Sequence, residues 1–438
     1  MVTKRRNWLT WVDYDPYEER EPFVFQQPPP PAPAAPPQLP APVVIVDEKP
    51  TSPEAAKEDA TEKPRKKKKK LDSTVDKPPA KVEAPKQEPV PDKVEEPTPQ
   101  IGPISLPNLI FTQIRKLKII QDLLPHQMYN HIDGINQIAM KCQLHKNMEA
   151  FAMSKGHHKF SVMPETYIIE LQPQMTKKYL LDNEKYKEFQ KAYTKGSYWI
   201  LKPGEDANRG HGIKVLDDIR KIEHTICFTF NSGPKQYRTC ILQKYIEKPL
   251  LVYRRKFDIR VFAMVTYISN FEKSEGILRG WFYEEGYIRT SCKEFNLQAG
   301  TDNQFMHLTN DAVQKQSSDY GKYEAGNKIS YSDFDKLLLK ENNTSFYNKI
   351  LPQIKKRVTE TFQSAGTRLV GEVRTDYNGF EWLGFDFMLD EDIKLHLIEV
   401  NTNPCLETQS CLLLQRLIPQ MLDQSLKIAA DPFFGASE

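Results

Sequence analysis

The sequence predicts an α+β fold carried behind an N-terminal arm that does not fold. Three observations predict it. Two thirds of the 33 prolines precede Ile104, and from Gln27 to Pro103 the chain is Pro, Ala, Lys, Glu and Val with almost no aromatic residues. Such a stretch buries too little apolar surface to offset its chain entropy. Downstream, short runs of β-branched and aromatic residues recur between loops. Few long helical repeats separate those runs, which argues for antiparallel strands with helices added rather than a doubly wound sheet.

The elements follow in order. Residues 1–26 include the aromatic stretch RRNWLTWVDYDPYEEREPFVF (Arg5–Phe25), which reads as a docking peptide or as a strap on the folded body. Residues 27–103 are linker. Inside it KPRKKKKK (Lys63–Lys70) reads first as a solvated charge run, and otherwise as a nuclear-import signal or an electrostatic arm for an acidic partner. Order is expected from Leu106, where LPNLIFTQIRKLKIIQDLL has helical spacing that Pro125 ends. FSVMPETYIIEL (Phe160–Leu171) reads as a strand with an edge proline, and NEKYKEFQKAY as a helix. These belong to a first lobe, residues 104–195. The second, residues 196–438, carries the strands YWILKP, RTCILQKYI, KFDIRVFAMVTYI, GWFYEEGYIRT, WLGFDFML and IKLHLIEVN. One long helix is expected at FYNKILPQIKKRVTETFQSAGTRLV and a last one from about Cys411 to Ala429.

Composition narrows the class. The 61 basic and 58 acidic residues nearly cancel, at +3, so net charge names no nucleic-acid or membrane partner. The six cysteines form no CxxC pair and no zinc spacing. No apolar run is long enough for a signal peptide or a span, which predicts a soluble, cytoplasmic protein in a reducing compartment.

The chemistry concentrates in three places. In YWILKPGEDANRGHGIKVL, Lys202 ends a strand and Gly204, Gly210 and Gly212 lie in the loop after it. Glycines let backbone approach phosphate oxygens and a lysine adds charge, although a plain hairpin gives the same pattern. No Gly-Lys-Ser/Thr follows, no helix opens after the glycines, and no His-Arg-Asp loop is present. A P-loop, a dinucleotide fingerprint and a kinase are therefore excluded. In RKFDIRVF, alternation puts Lys256, Asp258 and Arg260 on one strand face, a clamp for phosphates or carboxylates, although a half-buried strand with a solvated charged face gives the same pattern. Arg289 and the HLTN stretch at His307–Asn310 add polar groups of the same kind.

The third place is the hairpin LGFDFMLDEDIKLHLIEVN. With a two-residue turn at Glu391 and Asp392, Asp386 faces Leu397 and Gly384 faces Glu399. Asp386, Glu399 and Asn401 then project to one side. Two carboxylates and an amide oxygen are hard ligands that suit Mg²⁺ held with substrate phosphates. That explains a carboxylate in so apolar a strand, the alternative being a pair of carboxylates satisfied by lysines.

From about Met128 to Phe433 the chain resembles the tubulin–tyrosine ligase family. The resemblance rests on WILKPGEDANRGHGI, LQKYIEKPLLVYRRKFDIRVF, YIRTS, HLTNDAVQKQSSDYGKYEAGN and GFDFMLDEDIKLHLIEVN. It implies an ATP-grasp fold, two α/β lobes gripping ATP, with residues 196–438 as the catalytic part. It implies that Lys141, Lys202, Gly210 and Gly212 lie at the nucleotide, and that Gln243, Lys244, Tyr245 and Ile246 form the adenine hinge. Thr309 and Asn310 would border nucleotide and substrate. Lys256, Asp258, Arg260 and Arg289 would line the phosphate and acceptor site, and Asp386, Glu399 and Asn401 would hold Mg²⁺. The implied reaction is ATP-dependent activation of an acceptor carboxylate as an acyl phosphate, followed by attack of an amino acid's amine. The implied acceptor is the acidic C-terminal tail of tubulin, with a free amino acid as donor and a monomeric enzyme at the cytoskeleton, the cilium included.

Tyrosine is the first-choice donor. QKYIEKPLL and the HLTN stretch resemble the tyrosine ligase itself, whereas VNTNPCLE resembles the glutamylase and glycylase relatives. Glutamate or glycine is therefore the alternative. A nucleotide-binding scaffold that docks tubulin without catalysis, and an adaptor working through its arm, are the competing classes.

Overall fold

The computed structural model describes residues 8–10, 109–173, 175–205, 210–230, 237–270, 275–371 and 374–434. The linker expectation for 27–103 and the basic run Lys63–Lys70 lie outside the described residues. So does most of the aromatic segment. Among the described residues no helix is long and apolar enough to cross a membrane.

The strands in chain order are β1 (Trp8–Thr10), β2 (Leu109–Ile110), β3 (Met128–Tyr129), β4 (Thr166–Glu170), β5 (Trp199–Pro203), β6 (Lys214–Leu216) and β7 (Thr239–Lys244). They continue with β8 (Leu251–Val252), β9 (Arg255–Asn270), β10 (Glu275–Glu294), β11 (Lys328–Ser330), β12 (Gly379–Leu389) and β13 (Leu395–Thr402). They build a four-stranded sheet, ordered β4-β7-β5-β6, and a nine-stranded sheet whose main path is β1-β10-β9-β12-β3-β2. β13 pairs with β12, β11 with β10 and β8 with β9. The β2–β3 and β3–β12 pairings are parallel and the others antiparallel.

Alternation makes the large sheet two-sided. Phe257, Ile259, Val261 and Val265 of β9 join Leu383, Phe385 and Phe387 of β12 in one core, beneath the helices Tyr331–Asn342 and Leu351–Ala365. On the other face Phe262 and Met264 pack with Phe380, Trp382 and the helix Leu412–Ala429. That helix leaves the Lys256–Arg260 end uncovered, and the open end becomes the cleft floor. The four-stranded sheet buries Trp199, Leu201, Cys240 and Leu242 against the helices Glu184–Ala192 and Ile219–His224.

Two expectations are corrected. The helix expected from Leu106 is only Leu117–Asp122. Before it, Leu109 and Ile110 pair with β3, and Phe111 lies 5.5 Å from the Trp382 ring, so sheet pairing overrides the helical spacing. The hairpin register also differs. Leu389 opposes Leu395, which makes the turn longer than two residues, and Ile393 adopts φ +61 within it. An irregularity between Asp386 and Phe387 then leaves Ile398 unpaired and sets Asp386 opposite Glu399 and Gly384 opposite Asn401.

Candidate active site

The cleft lies between the two sheets, with a cavity of about 1330 Å³. From the four-stranded sheet, Ile200 and Lys202 of β5 and Gln243 of β7 face it. From the large sheet come Lys256, Asp258 and Arg260 of β9, Arg289 of β10, Asp386 of β12, and Glu399 and Asn401 of β13. Lys141, Lys244, Tyr245, Ile246, Gly210, Thr309 and Asn310 line it as well. The structure therefore brings together the sequence-selected residues from seven separate stretches. Gly212 stands slightly apart, packed on Pro203.

The floor is one hydrogen-bonded charge network. In register, Arg260 opposes both Tyr287 and Asp386, Asp386 opposes Glu399, and Asp258 opposes Arg289. Arg260 grips Asp386 with both ends of its fork, at 2.6 and 3.2 Å. Arg289 grips Asp258 at 2.6 and 2.7 Å and reaches Asp386 at 2.8 Å. Two guanidiniums and two carboxylates thus cancel, all buried. Thr309 adds a hydroxyl bond to Asp258. Gly384 leaves room beneath this network: a Cβ there would stand 3.2 Å from Arg260 Nη1 and 3.0 Å from Pro404 Cβ, so a side chain would crowd both.

Two lysines have no carboxylate within ion-pair distance among the described residues. Lys256 donates to the His307 carbonyl at 2.8 Å and the Tyr245 hydroxyl at 3.2 Å. Burial pushes it down to about 7, Lys202 adds to the push and Asp258 opposes it. Lys202 donates to Gln243 Oε1 at 2.8 Å. Burial pushes it down to about 8, against the pull of Glu399 and with help from Lys141. Beside them Ile200, Val215, Tyr245, Leu308 and Val313 form a small apolar cluster, the chemistry that receives a flat ring.

Glu399 lies at the other end. Burial works to raise it, but Lys141 at 3.4 Å and Lys202, helped by the Asn401 amide, hold it down at about 2. The Asn401 nitrogen donates to Asp386 at 3.2 Å and to Glu399 at 3.3 Å. Turning that amide over would offer its oxygen instead. Among the described residues no group of three or more His, Cys, Asp or Glu could hold a metal ion. Two carboxylates on one rung with an amide beside them still fit Mg²⁺, which takes few protein ligands and completes its shell with phosphate and water.

Some participants carried no sequence signal. Tyr287 sits on the rung as an ordinary strand aromatic. His145 and Thr166, likewise without signal, join the sequence-selected Gln243 in a buried cluster across three elements.

A sequence profile of the Tubulin-tyrosine ligase family matches residues 119–437. The chain belongs to the tubulin–tyrosine ligase family. Similar members include tubulin glycylase 3B of Tetrahymena thermophila, 33% identical over 234 residues, which are 53% of this chain and 18% of the glycylase. A tubulin monoglutamylase of Homo sapiens is 29% identical over 293 residues, 65% of this chain and 22% of that protein. A probable tubulin polyglutamylase of Mus musculus is 30% identical over 287 residues, 64% of this chain and 47% of that protein. The chain thus spans less than half the length of these curated relatives.

Proposed function

We propose that this family member is an ATP-dependent ligase that joins an amino acid to a carboxylate of an acidic, tubulin-type tail, on an ATP-grasp arrangement of its two sheets. The observation that carries the reading is the cleft itself. The four-stranded sheet supplies Lys202 and an apolar ring pocket, and the large sheet supplies Lys256, a carboxylate pair and two arginines. In this reading the adenine enters the cluster around Ile200, Tyr245 and Leu308, and Lys202 and Lys256 take the phosphates. Asp386, Glu399 and Asn401 hold Mg²⁺, which when bound neutralises phosphate charge.

An acceptor carboxylate oxygen attacks the terminal phosphorus and ADP departs, leaving an acyl phosphate. The donor amine then attacks the carbonyl carbon, an amide forms and phosphate departs. Arg260 and Arg289, fixed by Asp386 and Asp258, present cationic faces to the transferring group without reorganising. No protein nucleophile is required.

The donor reading shifts from tyrosine. The similar proteins named above are a glycylase and glutamylases, which supports glycine or glutamate instead. The test incubates the protein with ATP, Mg²⁺, tubulin and labelled glycine, glutamate or tyrosine in separate reactions. Glycine or glutamate label on tubulin, with tubulin-dependent ADP release, is the expected result. ATP bound tightly with no label from any donor would overturn catalysis and leave a docking scaffold.

A further inference from the structure

The helix Lys141–Ser154 packs on β7 and β13 and presents Lys141 and His145 one turn apart. Lys141 reaches the cleft. His145 stops short of it, buried, with its Nε2 3.3 Å from the amide nitrogen of Gln243. That amide has two further neighbours. Its oxygen accepts from Lys202 at 2.8 Å, and its nitrogen donates to the Thr166 hydroxyl at 2.9 Å.

The orientation of the amide is determined by its surroundings. The Thr166 hydroxyl gives its own proton to the Pro164 carbonyl at 2.7 Å, so towards Gln243 it can only accept. Rotating the amide by half a turn would press its NH₂ against the Lys202 ammonium and its oxygen against the Thr166 hydroxyl, which has no proton left to give. The second proton of that NH₂ points at His145, which must therefore offer a lone pair on Nε2. Burial, then Lys202 and Lys141, push the His145 imidazole down to about 3, so it stays a neutral acceptor at any working pH.

We propose that His145 is a positioning residue for Lys202: together with Thr166 it fixes the Gln243 amide, and the amide oxygen aims the lysine ammonium at the nucleotide's phosphates. The proposal rests on the nucleotide-binding reading above. Gln243 then acts through its side chain on Lys202, rather than only as a step in the adenine hinge. An imidazole two residues removed from any phosphate would tune nucleotide binding.

The experiment measures ATP affinity directly by titration with Mg·ATP, without tubulin or donor. His145→Phe fills the site but offers no acceptor, and His145→Gln restores one. Gln243→Leu removes the relay. His145→Phe should weaken ATP binding roughly threefold to tenfold, the worth of one misplaced hydrogen bond. His145→Gln should recover most of that loss. In the Gln243→Leu background, His145→Phe should have no further effect, because contacting residues acting through one relay are not additive. Unchanged affinity in His145→Phe, or equal losses in both backgrounds, would overturn the relay. Should His145→Phe misfold, His145→Leu in both backgrounds gives the same reading. A wild type that does not bind ATP at all would sink the nucleotide reading and the relay together.

Discussion

Asp386→Asn is the most demanding test of the cleft floor. In sequence Asp386 is grouped with Glu399 and Asn401 as a metal ligand, and removing a metal carboxylate would relieve buried charge. The structure reverses that expectation. Asp386 accepts both ends of the Arg260 fork and one nitrogen of Arg289. With Asp258 the four groups sum to zero charge; with asparagine they carry an uncompensated buried cation. Breaking a buried ion pair from one side costs about 3–5 kcal/mol, and the retained amide oxygen puts the expected loss at the lower end, about 3 kcal/mol. At roughly 2 °C per kcal/mol for a body of this size, the unfolding midpoint should fall by about 6 °C. Glu399→Gln is the control. Its lysine partner is 17% exposed and 3.4 Å away, against three close guanidinium bonds on Asp386, and glutamine still accepts from Asn401, so its loss should be the smaller of the two. Urea unfolding of the two variants beside wild type decides it. An Asp386→Asn protein as stable as wild type, or less affected than Glu399→Gln, would refute the charge-balanced floor.

Three further outcomes are expected. At pH 7.5, pKa values of about 7 for Lys256 and about 8 for Lys202 leave roughly three quarters and one quarter of them uncharged. Phosphates raise both values, so ATP binding should take up about one proton and weaken as pH rises through that window; calorimetry in buffers of different ionisation heat reads the uptake, and zero uptake would contradict it. Arg260→Lys keeps the charge but loses the fork, so turnover should fall at least about tenfold while ATP affinity, titrated separately from an acidic tail peptide, moves by less than about threefold. Deleting residues 1–103 removes the three-residue edge strand β1 from β10 but nothing from the core clusters of the described residues, which draw on positions after 108, so the urea midpoint should fall only slightly and the ATP-induced shift should persist; an insoluble truncation would show that the aromatic segment straps the body.

How much of this was legible depends on the period. β9 announces its two faces by strict alternation, and the charged face could be named residue by residue. The hairpin was harder. A two-residue turn predicts index sums of 783, whereas Asp386 and Glu399 sum to 785. The longer turn adds one and the unpaired Ile398 adds another. Each slip alone would flip side chains to the opposite face, but two restore it. The face assignment therefore held while every cross-strand partner changed. The helix Lys141–Ser154 gave little signal, because Cys142, Leu144, His145, Asn147 and Met148 are all buried and leave no clean polar stripe. Convergence of Lys202 and Gln243 with Glu399 across two sheets has no local signature at all.

The pairing of charges in the cleft divides the work between its cations. Arg260 and Arg289 are already bonded to carboxylates, so an arriving ligand gains direction from them more than new neutralisation. Lys202 and Lys256 lean on neutral oxygens, an amide, a phenol and a backbone carbonyl. Neutral partners orient an ammonium without compensating it, which is why burial lowers both lysines. In the proposed reading a phosphate chain would bring the missing counter-charge and restore full protonation, and part of its binding energy would go into recharging the site. In that reading the lysines, which lack carboxylate partners among the described residues, take the polyphosphate, and the arginines, already paired, are left to orient the acceptor carboxylate at the terminal phosphate.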